Sequence, residues 1–290
     1  MSLTLQPLPP GVVDEAVMAA LDEDGASDDV TTHALVDSGQ WGHAVLISRD
    51  EGVIAGLPVA AATMTAIDQT VSFDTLVEDG TRVPPNTELA EIEGPLHAIL
   101  SCERVALNFL QRMSGIATLT REFVDAIAGT QARILDTRKT TPGLRHLERY
   151  AVRAGGGSNH RFNLASGVLI KDNHIAAARL GGIVDLGAVV ARARATAPHT
   201  LRIEIEVTNM EQLKEAIEGG ADVILLDNMA ADEIRTCVQM VAGRALIEAS
   251  GGITLENVRA VADTGVDFIS IGRLTHSAPA LDISLEFGGA

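Results

Sequence analysis

The chain is short of several things, and each shortage closes a possibility. Of its 290 residues only Cys102 and Cys237 are cysteines, which suits a reduced intracellular protein better than a disulfide scaffold. Aromatic residues make up 3%, so a core has to be built from Val, Ile, Leu and Ala. Positive charge is scarce: the net charge of −17 opposes a nucleic-acid or anionic-membrane partner, either of which needs a broad basic face. No basic and then apolar secretory opening is present. The longest uncharged stretch, residues 52–67, is too short for an ordinary membrane span and carries Gly and Pro. A soluble, cytoplasmic protein is expected. No His or Cys spacing suits a zinc or iron site, and His33, His43 and His97 are scattered singly.

What the chain does contain falls into two textures. Up to about residue 110, short β-like runs such as 44–48 and 52–55 lie between turn signals. Residues 77–94 have the rhythm of a small β-sandwich. A biotinyl or lipoyl arm would need a lysine at its hairpin tip, and the first lysine is Lys139. Residues 100–113 carry helical periodicity and include Arg104.

From Ala132 onward six short apolar runs follow, at 132–136, 167–170, 201–207, 222–226, 245–248 and 267–271. Amphipathic helical stretches separate several of them. One is 209–219, opening on Thr208 or Asn209 and closing on Gly219-Gly220; another is 254–264, closed by Gly265. Strands alternating with helices predict a parallel sheet. Six such units without a G-x-G-x-x-G turn predict an incomplete, TIM-like α/β barrel, whose active site lies at the carboxyl ends of the strands.

Those ends hold ionisable groups nearly every time. They are Asp136-Thr137-Arg138-Lys139, Lys171-Asp-Asn-His174, Glu206, Asp227-Asn228, Ser250-Gly251-Gly252 and Ile271-Gly272-Arg273 with His276. From Arg133 to Lys171 the chain spends eight of its 22 cations and only two of its 39 acids, a local basic exception that predicts an anion site. Arg145, Arg149 and Arg153, spaced four apart, read as a basic helix surface. Arg138, Arg161 and Lys171 fall in loops or at strand ends. With 19 arginines against three lysines, Lys139 and Lys171 stand out as point charges, whereas Lys214 reads as helix surface.

Glycine-bearing loops at 250–252 and 271–273, after the last two strands, suit a phosphate. Glu206 and Asp227 are open to three roles: metal ligation through oxygen, acceptance from sugar hydroxyls, or stabilisation of a developing cation. Glu204, two residues earlier, points the same way as Glu206 but sits further from the rim.

The block Asp136-Thr-Arg-Lys-Thr-Thr-Pro-Gly-Leu-Arg145, then Ala154-Gly-Gly-Gly157, Asn159-His160-Arg161, Leu169-Ile-Lys-Asp-Asn-His174, Leu226-Asp-Asn228, Ser250-Gly-Gly252 and Gly272-Arg-Leu-Thr-His-Ser277, closely resembles the quinolinate phosphoribosyltransferases. Residues 26–32 and Glu103-Arg104 fit as well, so the likeness covers nearly the whole chain. The resemblance implies an amino-terminal α/β sandwich over 1–112 completed by 277–290, a barrel over 113–276, and a homodimer in which Arg104 enters the neighbour's site. It also implies transfer of phosphoribosyl from 5-phosphoribosyl-1-pyrophosphate to quinolinate with Mg²⁺, giving nicotinate mononucleotide, CO₂ and pyrophosphate.

On that resemblance the quinolinate carboxylates fall to Arg138, His160, Arg161, Lys171 and the partner's Arg104, and the pyrophosphate or a carboxylate to Lys139. Thr137, Ile271 and His276 complete the binding set. Ser250, Gly251, Gly252, Gly272 and Arg273 take the 5-phosphate, and Glu206 and Asp227 the ribose hydroxyls or Mg²⁺. Lys139, Lys171, Glu206 and Asp227 are the expected catalytic groups. Two departures touch tuning: Asn163 to Ser166 replaces the family's usual Gly-Leu-x-Asp, and Arg273 stands where a small or acidic residue is common. The rivals are a nicotinate-specific transferase, a Schiff-base aldolase using Lys171, and a catalytically inactive sensor of a phosphoribosyl ligand.

Overall fold

The apolar runs become strands because their β-branched and aliphatic residues pack on a pleated surface. A computed structural model describes residues 5–183 and 185–288 and shows twelve strands among them. They are β1 Trp41–Ser48, β2 Gly52–Val53, β3 Ser72–Thr75, β4 Arg82–Val83, β5 Thr87–Pro95, β6 Arg133–Leu135, β7 Val168–Ile170, β8 Ile203–Val207, β9 Val223–Asp227, β10 Leu246–Ser250, β11 Phe268–Ser270 and β12 Ile283–Phe287. The chain forms two compact units, one within Met1–Arg121, Lys139–Gly156 and Arg273–Ala290, the other from Glu122–Arg138 and Gly157–Gly272.

The first unit is built on an antiparallel sheet of order β12-β1-β5-β3, with β2 and β4 paired separately. β12 lies antiparallel to β1, so the carboxyl-terminal strand completes the amino-terminal sheet. The helical periodicity at 100–113 is the middle of a longer helix, Leu96–Ala126. Gly115 within it is dictated by packing. A Cβ there would lie 1.9 Å from the Pro279 carbonyl oxygen, too close for any other residue.

The sequence reading of Arg149 as helix surface is overturned. The helix Arg145–Ala154 buries residues on more than one side, and Arg149 is only 6% exposed. Beside it Glu148, 1% exposed, accepts from Arg112 at 2.8 Å and from the Thr141 hydroxyl at 2.7 Å and N–H at 3.0 Å. Arg153 lies over the Tyr150 ring at 5.7 Å. Spacing alone finds a common side of a helix; it does not say what covers that side.

The second unit carries the six predicted parallel strands, in order β6-β11-β10-β9-β8-β7. β9, Val-Ile-Leu-Leu-Asp, is buried through its first four residues, as a parallel strand covered on both faces must be. The helix Met210–Glu218 begins where expected, the Asn209 side chain accepting from the N–H groups of Glu211 at 3.1 Å and Gln212 at 3.0 Å. The stretch predicted helical over 254–264 is helical only at Val258–Ala262, because a turn held by Asn257 fills its start. β6 and β7 are the sheet's outer strands, and a segment through Ser158 runs parallel to Leu135 at the β6 edge. Leu135, Val168, Glu204, Val223, Glu248 and Phe268, one from each strand, line a single cavity, so the sheet curls into an incomplete barrel.

Candidate active site

Alternation along the barrel strands sorts the inward residues by height. On β8, Glu204 and Glu206 share a face, as do Leu225 and Asp227 on β9 and Glu248 and Ser250 on β10. Asp227 is opposite Ser250 in register, and Glu204 opposite Val223. Glu206, Asp227 and Ser250 thus mark the carboxyl rim, while Glu204 and Glu248 sit one layer deeper. Lys171 follows β7 directly, and its Nζ stands 2.5 Å from Glu206 Oε2. Lys171 is engaged here as a cation, which favours the anion-binding reading over the Schiff-base one.

The rim loops have local physical causes. Asn228 adopts a positive φ of 56°, and its side chain donates to Asp227 at 2.8 Å. Gly251, with φ of 85°, lies against that same side chain: a Cβ there would meet Asn228 Oδ1 at 2.2 Å. Gly251→Ala is therefore expected to cost about 2 kcal/mol, combining left-handed backbone strain with displacement of Asn228. Urea denaturation measures it; a change below about 0.5 kcal/mol would show that the loop relaxes freely.

Asp136, fully buried after β6, accepts from Asn159 Nδ2 at 2.5 Å and from the His160 N–H at 2.8 Å. This pins Asn159-His160-Arg161 to the barrel edge. Arg161 donates to the Gly167 carbonyl at 2.8 Å. Burial, and then the neighbouring Arg138 charge, push the Arg161 pKa down, with Glu204 opposing them. Arg138 keeps a buried Nε without a partner. Two guanidiniums that repel one another inside a barrel are a site prepared for a strong anion.

His160 is occupied differently from the sequence expectation. Its Nε2 lies 3.4 Å from Glu204 Oε2 and 3.5 Å from Glu248 Oε2, and its Nδ1 accepts the Arg161 N–H at 2.7 Å. Both ring nitrogens are committed inside the protein, so the ring supports Arg161 rather than reaching for a substrate carboxylate. The three side chains bring ligand-type atoms within 4.8 Å of one another. The separations are those of weak hydrogen bonds and the Arg161 cation is adjacent, so the cluster reads as one that shares protons. Glu248 was not singled out in the sequence; its signal there was a lone acid two residues before Ser250 in an apolar run, the same spacing as Glu204 before Glu206.

Of the expected site residues, Thr137, Arg138, His160, Arg161, Lys171, Glu206, Asp227, Ser250, Gly251, Gly252, Ile271 and Gly272 belong to the barrel unit. Arg104, Lys139, Arg273 and His276 belong to the other. There, the Thr275 hydroxyl donates to the Lys139 carbonyl at 2.7 Å, joining the two segments that carry Lys139 and Arg273. Arg104 and His276 are exposed. Cys102 and Cys237 are free and buried, and burial pushes the Cys102 thiol up to about 12. No helix among the described residues is long and apolar enough to cross a membrane.

A six-stranded parallel barrel with paired arginines inside and glycine loops after its penultimate and last strands has the make-up of a phosphate- and carboxylate-binding transferase barrel. Comparison with known proteins is specific. The models of the quinolinate phosphoribosyl transferase N-terminal and C-terminal domains match residues 29–114 and 116–286, and the chain belongs to the quinolinate phosphoribosyltransferase family. It is 46% identical over 264 residues to the probable nicotinate-nucleotide pyrophosphorylase (carboxylating) of Bacillus subtilis, covering 91% of this chain and 89% of that one. It is 43% identical over 263 residues to the nicotinate-nucleotide pyrophosphorylase (carboxylating) of Mycobacterium leprae, covering 89% and 90%. Among solved structures, NadC from Streptococcus pyogenes superposes with a TM-score of 0.91 at 41% identity, covering 98% of this chain and all of that one.

Proposed function

We propose that this protein transfers the phosphoribosyl group of 5-phosphoribosyl-1-pyrophosphate to quinolinate and decarboxylates the product to nicotinate mononucleotide. The observation that carries this is the mutually repelling Arg138–Arg161 pair. Quinolinate bears two adjacent carboxylates, and a mutually repelling arginine pair with a buried, unpartnered Nε is satisfied by such a dianion. A single carboxylate, as on nicotinate, would leave part of that repulsion standing.

Lys171, Arg138 and Arg161 hold the carboxylates, and Thr137, Lys139 and His276 border the pyrophosphate. Ser250, Gly251, Gly252, Ile271, Gly272 and Arg273 take the 5-phosphate. As pyrophosphate departs, positive charge grows on the ribose, and Glu206 and Asp227 at neighbouring strand ends are placed to stabilise it or to accept from its hydroxyls. No side-chain nucleophile is needed, so catalysis is positioning and electrostatics. Mg²⁺ carried by the donor's phosphates would supply neutralisation of their leaving charge. Glu206 is already occupied by Lys171, which leaves Asp227 as the rim carboxylate suited to that ion.

The protein acts as a cytoplasmic homodimer, with exposed Arg104 serving the partner's site; its buried free thiols fit a reducing compartment. Light scattering should return twice the chain mass. The activity is tested by mixing the purified protein with quinolinate, the phosphoribosyl donor and Mg²⁺. Nicotinate mononucleotide, CO₂ and pyrophosphate are expected in equal amounts, with nicotinate not turned over. Folded protein that makes no product overturns the proposal.

A further inference from the structure

The feature that the transfer step leaves unused is the buried acid Glu248. It lies in the barrel interior, 2% exposed, hydrogen-bonded to Ser270 on β11, and facing His160 Nε2 at 3.5 Å. Its Oε1 has no partner, and neither has Oε1 of the neighbouring Glu204. Two buried carboxylates converging on one imidazole cannot both be charged at low cost, so the cluster holds an extra proton.

The surroundings agree from every side. Glu204 on β8 and His160 are the nearest charged or titratable groups, Asp136 after β6 acts on His160, and Lys171 after β7 acts on Glu248. Burial, followed by the Glu204 charge, pushes the Glu248 carboxyl up to about 7, against the lowering effects of His160, Ser270 and Lys171. The His160 ring is fixed with Nδ1 as acceptor of the Arg161 N–H, so Nε2 is the nitrogen that bears hydrogen toward the acids.

There is also a route for replenishment. A cavity of about 350 Å³ is lined by His160, Glu204 and Glu248 within, and by Val168, Arg202 and Phe268 at the amino ends of their strands. It opens past Thr200 and Ser166, both exposed, at the end of the barrel opposite Lys171, Glu206 and Asp227. Arg161 lines the same cavity, so the cluster shares one water-accessible space with an arginine proposed to hold a substrate carboxylate.

We infer that Glu248, supported by His160 and Glu204 and supplied with water through this cavity, is the store of the proton that replaces the carboxylate lost from the pyridine ring. The inference rests on the proposed function. The carbon–carboxylate bond breaks, CO₂ leaves, and the bonding pair stays on the ring carbon beside the quaternised nitrogen. That pair takes up one proton passed from Glu248 through water of the cavity that Arg161 also lines, and the Glu248 carboxylate regains one from solvent. One solvent proton is consumed and no oxidant or reductant is involved.

The test separates the two halves of the reaction by rapid quench of the full-length protein with carboxyl-labelled quinolinate, the phosphoribosyl donor and Mg²⁺. E248Q keeps the size and the hydrogen bond to Ser270 but holds no transferable acid proton. It should release pyrophosphate at a rate within a few-fold of wild type, release CO₂ about a hundredfold more slowly, and accumulate quinolinate mononucleotide. In the wild type, CO₂ release should fall as pH rises above 7 and show a normal solvent deuterium isotope effect. E248Q should lose that pH inflection.

Equal slowing of pyrophosphate and CO₂ in E248Q, or a wild type without the isotope effect, overturns the inference. A wild type that forms no pyrophosphate at all overturns the underlying reading instead. Folding is checked by melting at pH 8, where a neutral glutamine removes the cost of ionising a buried acid, so E248Q should melt no lower than wild type.

Discussion

Lys171→Ala is expected to lower kcat/KM for quinolinate by about 10²–10³, or roughly 3–4 kcal/mol of transition-state stabilisation, while changing folding stability by about 1 kcal/mol or less. The two magnitudes differ because the lysine serves two partners in very different settings. Its ion pair with Glu206 is made by a side chain that is 45% exposed, and such pairs contribute little because water and ions screen them. On the proposed function, its charge faces a bound dianion in a site from which water has been displaced. Steady-state kinetics and a thermal melt on the same preparation distinguish them. A stability loss above about 2 kcal/mol with a proportionate loss of activity would make Lys171 a structural residue. Lys171→Arg should recover only part of the activity, since a planar fork cannot take the place of a compact ammonium.

Much of the barrel was legible because its signals are local. Each strand is a short apolar run with a loop directly after it, so reading the residues after the runs located Lys171, Glu206, Asp227 and the 250–252 loop at the carboxyl rim. The interior was less legible. Glu204 and Glu248 lie among apolar neighbours on β8 and β10, but what makes them informative is that both meet His160, contributed from the far edge of the sheet. That convergence comes from curvature, which no local pattern states. Arg149 failed for a related reason: its helix was read correctly, but spacing along one helix does not say which of its residues the fold buries. The Asn257 turn hid in a periodic stretch because its side chain can satisfy backbone groups as well as a helix does.

Asp136 is a strand-end acid whose carboxylate is turned to its own protein, and Asp136→Asn should reveal what that anchoring contributes. The carboxylate, fully buried, accepts hydrogen bonds from Asn159 Nδ2 and the His160 N–H. An asparagine has the same shape but only one accepting oxygen, so its amide nitrogen confronts a donor and at least one buried donor goes unsatisfied. The expected cost is about 2–4 kcal/mol, read by urea denaturation. Activity should fall by about 10², because Asn159, His160 and Arg161 lose the anchor that sets their position, and a displacement of about 1 Å is enough for such a loss.

A pH signature separates this from simple destabilisation. Burial lowers the His160 pKa, but the hydrogen bond to Glu204 and the charges of Glu248, Glu204 and Asp136 outweigh it and leave the pKa above the ordinary value. A histidine raised in this way stabilises the fold fully below its unfolded pKa, and the contribution disappears as pH rises through the folded value. Removing the Asp136 charge shrinks that contribution, so the melting-temperature gap between wild type and Asp136→Asn should be wider at pH 5.5 than at pH 8.5. A gap that stays constant across this range would mean that Asp136 acts on the cluster through geometry alone and that its charge does not reach His160.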